Sequence, residues 1–302
     1  MPNSTLFQYF DAFLSYLQLE RRYSEHTCQA YQRDLNQFFS YGISRKWSGE
    51  HLSQKNGQEF LVYLGKQGYA DATLRRKVAA LRSFFTFLLR ENHITVNPFN
   101  TLLLPKKKHV LPRVLSRKEM HAFLDGVSTE TPLGIRNRSI FELLYSSGIR
   151  LSELVSLNVM DIQHVDQSIL ITGKGGHQRM ALFGDTAAVW LSRYLKFCRE
   201  TWVAPQCQAL YINQSGLRLS GRSIQRILRD CCKEQGLDTD ITPHTFRHSF
   251  ATELLNGGAD LRSIQELLGH ESILSTQLYT HLNEKKLLTT FRQAHPRGTV
   301  QE

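Results

Sequence analysis

Between residues 4 and 91 the apolar positions fall into four runs at helical spacing. Leu6, Phe10, Phe13, Leu14 and Leu17 form the first; Tyr31, Leu35, Phe38 and Phe39 the second; Phe60, Leu61 and Leu64 the third; Leu74, Val78, Leu81, Phe85 and Leu88 the fourth. A period of three to four residues predicts four amphipathic helices packed as a bundle, with the aromatic side chains as its core. The pattern stops at Asn97-Pro98, and Pro105-Lys106-Lys107-Lys108-His109-Val110-Leu111-Pro112-Arg113 follows, an extended, charged linker with prolines near both ends. A second pattern starts at Ser116, where Ser116 and Glu119 form a capping box for a helix through Phe123 and Leu124. Another helix is predicted over 135–147 and ends at Gly148, and Ile149-Arg150-Leu151-Ser152-Glu153-Leu154 leads into the next. Ser168–Thr172 reads as a strand, Gly173-Lys174-Gly175-Gly176 as its turn and Arg179–Leu182 as the returning strand, together a β-hairpin. Helices follow at about 185–200 and 220–235. The predicted fold is mainly α with a small β-hairpin or sheet in the second of two domains, divided as 1–104, linker 105–115, 116–283 and tail 284–302.

Length and composition narrow the class. The 302 residues, 41% of them hydrophobic, suffice for a core in each of two domains. A net charge of +10 favours a polyanion as partner, nucleic acid ahead of a membrane, although such a charge also serves solubility. No apolar run approaches the ~18 residues of a membrane span, and Met1-Pro2-Asn3-Ser4-Thr5 lacks the basic start and apolar core of a signal peptide. A cytoplasmic location is expected. The five cysteines, with Cys231 and Cys232 adjacent, have neither disulfide-framework nor zinc-ribbon spacing and read as reduced packing residues.

The candidate chemistry is concentrated between Thr242 and Tyr279. Thr242 suits an N-cap and Pro243 the first helical position, so His244 falls in an opening turn whose orphan amides attract anions. Arg247 returns to roughly the same face. Gly269 in Leu267-Leu268-Gly269-His270 reads as a helix stop that puts His270 on a turn, and Tyr279 follows as a possible phenolic nucleophile. Each residue also has a plainer reading. His244 and His248 are compatible with metal ligands or ordinary half-buried histidines, Arg247 with a surface ion pair, and Lys174 with an exposed loop lysine. The zinc-protease pattern fails because Thr245 stands where Glu is required. Gly173-Lys174-Gly175 lacks P-loop spacing and lies between strands, which disfavours nucleotide hydrolysis. Arg75-Arg76-Lys77 and Arg21-Arg22 are phosphate-contact candidates or a solvated face; Arg222, Arg226 and Arg229 form a basic stripe suited to DNA.

Taken together, Arg150, Lys174, His244, Arg247, His270 and Tyr279 occur in an order that resembles the tyrosine recombinases, in particular the bacterial Xer type. The motifs are Gly148-Ile149-Arg150-Leu151-Ser152-Glu153-Leu154, Thr172-Gly173-Lys174-Gly175, Pro243-His244-Thr245-Phe246-Arg247-His248-Ser249-Phe250-Ala251-Thr252, Leu267-Leu268-Gly269-His270 and Tyr279-Thr280-His281-Leu282. Phe246 stands where leucine is common, His177 where the hairpin often has lysine, and Leu274 where a small polar residue is usual. The resemblance spans nearly the whole chain and makes the first domain a SAM-like core-binding bundle and the second a tyrosine-recombinase catalytic domain. A chain that opens directly on that bundle is expected of the Xer type rather than of lambda-type integrases with an arm-binding domain.

The resemblance further implies attack by Tyr279 on a phosphodiester to give a 3′-phosphotyrosyl link and a free 5′-hydroxyl. Arg150 and Arg247 would clamp the non-bridging oxygens, His270 would donate to them, Lys174 would protonate the leaving oxygen, His244 would assist at the tyrosine, and Glu153 would orient its neighbours. No cofactor and no metal is expected, since a two-metal nuclease needs clustered carboxylates. Arg75, Arg76, Lys106, Lys107, Lys108, Arg222 and Arg226 are the expected DNA contacts. The implied partners are a double-stranded DNA recombination site, a second Xer-type recombinase in a heterotetramer, and a DNA translocase at the division septum. The tail 284–302, where Leu287, Leu288 and Phe291 recur at helical spacing, would dock into a neighbouring protomer or, alternatively, pack on its own domain. A mobile-element integrase of the same family and a DNA-binding protein without catalysis remain open.

Overall fold

A computed structural model describes residues 6, 8–47, 52–102, 115–173, 178–237, 241–269, 291 and 294–297. The chain divides into two units, Met1–Val110 and Leu111–Glu302. In the first unit the four periodic runs are the helices α1 (Phe10–Leu19), α2 (Glu25–Ser44), α3 (Gln54–Lys66) and α4 (Asp71–Arg90). Their aromatic stripes meet edge to face. Phe38 meets Phe60 at 5.2 Å and Phe99 at 5.4 Å, and Phe13 meets Phe84 at 5.2 Å, in the T-shaped geometry that the ring quadrupole favours. Phe99 belongs to the turn after α4 and is fully buried. It is held there by Asn97, whose side chain accepts from the Phe99 N–H and donates to the Arg82 carbonyl. Arg82 in turn donates to the carbonyls of Phe99 and Leu102.

The second unit contains α5 (Arg117–Asp125), α6 (Pro132–Ser147), α7 (Leu151–Ser156), β1 (Ile162–Gln163), β2 (Ser168–Thr172), β3 (Gln178–Leu182), α8 (Asp185–Tyr194), α9 (Gly221–Glu234), α10 (Pro243–Asn256) and α11 (Leu261–Leu268). The predicted capping box is present: the Ser116 hydroxyl accepts from the Glu119 N–H, and Glu119 accepts from the Ser116 N–H at 2.8 Å. The hairpin gains a third strand. β1 pairs antiparallel with β2, giving the order β1-β2-β3, but at two residues it is too short to leave an alternating pattern in the sequence. The helix expected over 185–200 runs as α8 and then widens into a π-helical turn, Leu195–Arg199, before Glu200–Trp202. Helix α6 is buried on nearly every side from Arg138 to Ser147, so its sequence shows little amphipathic contrast. The wide aromatic Phe246 on α10 is fully buried between Phe123 and Phe141.

Four residues of the tail pack on their own domain. Phe291 and Ala294 share a core with Phe250, Leu254 and Leu268. Arg297 is paired with Asp125 and with the fully buried Glu142, which Arg138 also contacts at 2.8 Å. Burial raises the Glu142 carboxyl above its ordinary range, and the two guanidiniums oppose that shift. His295 lies buried against Phe291, Tyr145 and Phe250, and its Nδ1 accepts from the Arg297 N–H at 3.2 Å. Burial lowers its pKa to about 3.

That depression makes tail docking sensitive to acid. His295 is neutral when folded, whereas in the unfolded chain it titrates near the ordinary ~6.5, so between those values only the unfolded state binds the proton. Stability should therefore fall as pH drops from ~6.5 towards ~3, by at most about 1.4 kcal/mol per pH unit from this group. Denaturation of His295→Phe across that range should show a correspondingly flatter pH profile than wild type; parallel profiles would assign the slope to other groups.

Candidate active site

Two glycines in the left-handed conformation bring the site together. Gly148 ends α6 with φ 60° and Gly269 ends α11 with φ 66°. Two residues after Gly148, Arg150 takes the N-cap position of α7, as its place at a helix junction predicts. Glu153, one turn on, accepts the Arg150 backbone N–H at 2.7 Å and its guanidinium at 2.9 Å. The carboxylate thus caps the helix and holds the arginine that precedes it. Helix α10 begins as the sequence indicates, with Thr242 at the N-cap and Pro243 in the first turn. His244 and His248 are exposed and Arg247 is half-buried.

Arg247 reaches inward and donates to the Gly148 carbonyl at 2.6 Å and to the Leu268 carbonyl at 2.8 Å. Arg150 contacts the Gly269 carbonyl at 3.4 Å. A third arginine, Arg179 at the start of β3, donates to the Leu267 carbonyl at 3.3 Å and to Glu153 at 2.9 Å. Three guanidiniums therefore sit on three successive carbonyls at the end of α11, where the helix leaves acceptors unused and its dipole is negative. One carboxylate, Glu153, lies among them, so the group carries an excess of positive charge. Burial first, and then the nearby Arg150, lowers the pKa of Arg247 to about 10, leaving it charged at neutral pH. A bound phosphate would offset the repulsion and compensate the cost of desolvation with opposite charge.

Arg179 joins this group although the sequence did not mark it as a site candidate. In the β2–β3 register Ile169 faces Ala181 and Ile171 faces Arg179, so the arginine falls on the inward face of the sheet. An inward arginine needs a buried partner, here Glu153.

The remaining candidates are placed as follows. Arg222, Arg226 and Arg229 are exposed along α9. Arg75 is half-buried; Arg76 pairs with Asp34, and so does the buried Lys77 at 2.8 Å, so these cations fasten α4 to α2. Lys174, His270, Tyr279, Lys106, Lys107, Lys108 and His177 lie outside the described residues. Among the described residues no group of three or more His, Cys, Asp or Glu side chains is arranged to hold a metal ion, and no helix is long and apolar enough to cross a membrane.

Comparison with known proteins decides the family. Residues 113–286 match the phage integrase family, and residues 10–92 match the phage integrase N-terminal SAM-like domain. The chain belongs to the phage integrase family of tyrosine recombinases. The recombinase is 39% identical to a tyrosine recombinase XerC of Pelotomaculum thermopropionicum over 97% of this chain and 99% of the relative. It is 38% identical to a tyrosine recombinase XerD of Oceanobacillus iheyensis over 95% of this chain and 97% of the relative. Among solved structures, the XerH recombinase bound to difH substrate superposes with a TM-score of 0.68 at 24% identity, over 95% of this chain and 97% of that one. The Tn1549 transposon integrase bound to a circular intermediate DNA gives 0.72 at 16% identity, over 93% and 97%. These two likenesses establish the fold: a SAM-like helical domain and a mainly helical catalytic domain with one small antiparallel sheet. The recombinase is thus a site-specific enzyme of DNA strand breakage and rejoining.

Gly148 tests how the site is hung on the fold. A Cβ there would stand 2.4 Å from the Phe250 ring, and the left-handed backbone disfavours any side chain. Gly148→Ala should lose at least about 1 kcal/mol from the backbone alone and about 1–3 kcal/mol more from overpacking, read by chemical denaturation. Wild-type stability would mean that the α6–α7 junction relaxes freely.

Proposed function

We propose that this recombinase cuts and rejoins duplex DNA through a 3′-phosphotyrosyl intermediate on Tyr279, and that it does so as a Xer protein. The observation that carries this reading is the convergence of Arg150, Arg247 and Arg179 around Glu153, next to the turn that precedes His270. Charge develops on the non-bridging oxygens in the transition state, and two fixed guanidiniums meet it without reorganising. Arg150 has 43% of its side chain exposed while Glu153 holds it, which leaves it accessible to a phosphate. In this reading His270 adds a further hydrogen bond and His244, exposed in the first turn of α10, helps move the tyrosine proton. Set beside these arginines, the tyrosine would have its phenolate favoured over a phenol of ordinary pKa ~10. Lys174 protonates the 5′ oxygen as it leaves. The phosphotyrosyl bond retains the energy of the broken phosphodiester, so the strand can be resealed without a nucleotide cofactor.

The DNA is held by Arg222 and Arg226 on α9 and by Arg75, Arg76 and the linker lysines Lys106, Lys107 and Lys108. Arg76 would do so while paired with Asp34. The biological task in this reading is resolution of chromosome dimers at cell division, in the cytoplasm, with a second Xer-type recombinase in a heterotetramer and under a DNA translocase at the septum. Of the two Xer roles this reading takes that of XerC ahead of XerD; relatives named XerC and XerD are 39% and 38% identical. The domain boundaries at 104, 115 and 283 belong to the same proposal. So does docking of the tail in a neighbouring protomer, which would require Phe291, Ala294, His295 and Arg297 to leave the sites they occupy on their own domain.

Tyr279→Phe removes the attacking oxygen and keeps the ring. It should retard DNA like wild type in a native gel and form no covalent complex with a nicked suicide substrate on a denaturing gel; covalent product from this variant would reassign the nucleophile. Lys174→Ala should cleave an ordinary scissile phosphate at least ~100-fold more slowly and recover on a 5′-phosphorothiolate, whose sulfur leaves without a proton. Equal impairment on both substrates would exclude Lys174 as the general acid.

A further inference from the structure

The Arg179 side chain bridges the start of one helix and the end of another. It donates to Glu153 Oε2 at 2.9 Å and to the Leu267 carbonyl at 3.3 Å, and its Nε and Cδ lie over the α-carbon of Gly269, where an added Cβ would meet them at 2.3 and 2.5 Å. The backbone N–H of Arg150 donates to that same Glu153 oxygen. Exposure separates the two arginines: 12% of the Arg179 side chain is accessible against 43% for Arg150. Arg179 therefore stands behind the carboxylate and Arg150 in front of it. Glu153 itself is 9% accessible and depends on both cations.

We propose that Arg179 is a positioning residue for phosphate recognition. Through Glu153 it aims the Arg150 guanidinium, and through Leu267 and Gly269 it ties the hairpin strand β3 to the turn preceding His270. This rests on the reading of Arg150 as a phosphate clamp and Tyr279 as nucleophile. A lysine cannot replace it, because one ammonium on a flexible stem does not span a carboxylate and a carbonyl in the fixed geometry of a planar fork. Without the bridge, Glu153 keeps only Arg150 and turns with it, and a displacement of ~1 Å at a clamp is enough to cost ~100-fold in rate. The arrangement also gives a second reason for Gly269 beyond its left-handed φ: Arg179 occupies the space a side chain would need.

The test uses the full chain, a nicked suicide substrate, and Arg179→Gln and Arg179→Lys. Three quantities are read: the single-turnover rate of covalent complex formation at saturating DNA, the Kd from gel retardation, and the melting temperature. Both variants should cleave ~100-fold more slowly with a Kd within about threefold of wild type. A second substrate carries a methyl group in place of one non-bridging oxygen of the scissile phosphate. The charge to be clamped is then gone, so the deficit of both variants should shrink by about tenfold or more, which general loosening of the fold would not produce. Should Arg179→Gln fail to fold, Arg179→Lys, which keeps the charge beside Glu153, carries both comparisons. The proposal is overturned if Arg179→Lys cleaves the phosphate substrate at the wild-type rate, if the deficit is equal on the two substrates, or if it lies wholly in Kd. Absence of any covalent complex from the wild-type protein would instead overturn the assignment of Tyr279.

Discussion

Like charges gather only where something holds them, and in this recombinase the holder is the carboxyl end of α11 together with Glu153. Two guanidiniums a few ångströms apart repel by about 2–4 kcal/mol at the effective dielectric of a protein, and by less where solvent reaches them as it does Arg150. Three of them are kept together by carbonyls that a helix end leaves without partners and by one buried carboxylate. The rest of the catalytic unit can be understood as arranging those acceptors. Gly148 turns the chain so that Arg150 starts a helix, α10 carries Arg247 to the Gly148 carbonyl, and β3 delivers Arg179 from the opposite side.

The cores support this without taking part. Phe246, Phe123 and Phe141 fix α10 against α5 and α6, so the backbone that carries Arg247 is set by aromatic packing and not by its polar contacts. A second core, made by Phe250, Leu254, Leu267 and Leu268, fixes α11 against α10. The polar cluster therefore lies between two apolar bodies. Its hydrogen bonds need only choose directions, while burial of the flanking side chains supplies most of the cohesion.

Local chemistry made much of this legible in the sequence. Thr242-Pro243 marked the start of α10, Gly148 and Gly269 marked two helix stops, and Ser116 with Glu119 marked a capping box; each is a short-range rule that tertiary structure had no reason to override. Residues whose role depends on a distant partner were harder. Arg76 and Lys77 look like a free basic cluster until Asp34, on another helix, is brought against them. Arg179 is an ordinary strand arginine until the register puts it opposite Ile171. The two-residue β1 and the π-helical turn have no local signature, since one is shorter than a period and the other keeps helical spacing on both sides.

The tail has a consequence for assembly that follows from tethering. Phe291, His295 and Arg297 are covalently joined to the surface that receives them, so that surface meets its own tail at an effective concentration of millimolar order. A copy of the same segment from another subunit, free in solution at far lower concentration, cannot compete. Two subunits bound side by side on one duplex would be a different case, because the DNA would act as a second tether and make an exchange intramolecular on both sides. If the proposed docking holds, occupancy of DNA would decide whether a tail keeps its own site or enters that of a neighbour.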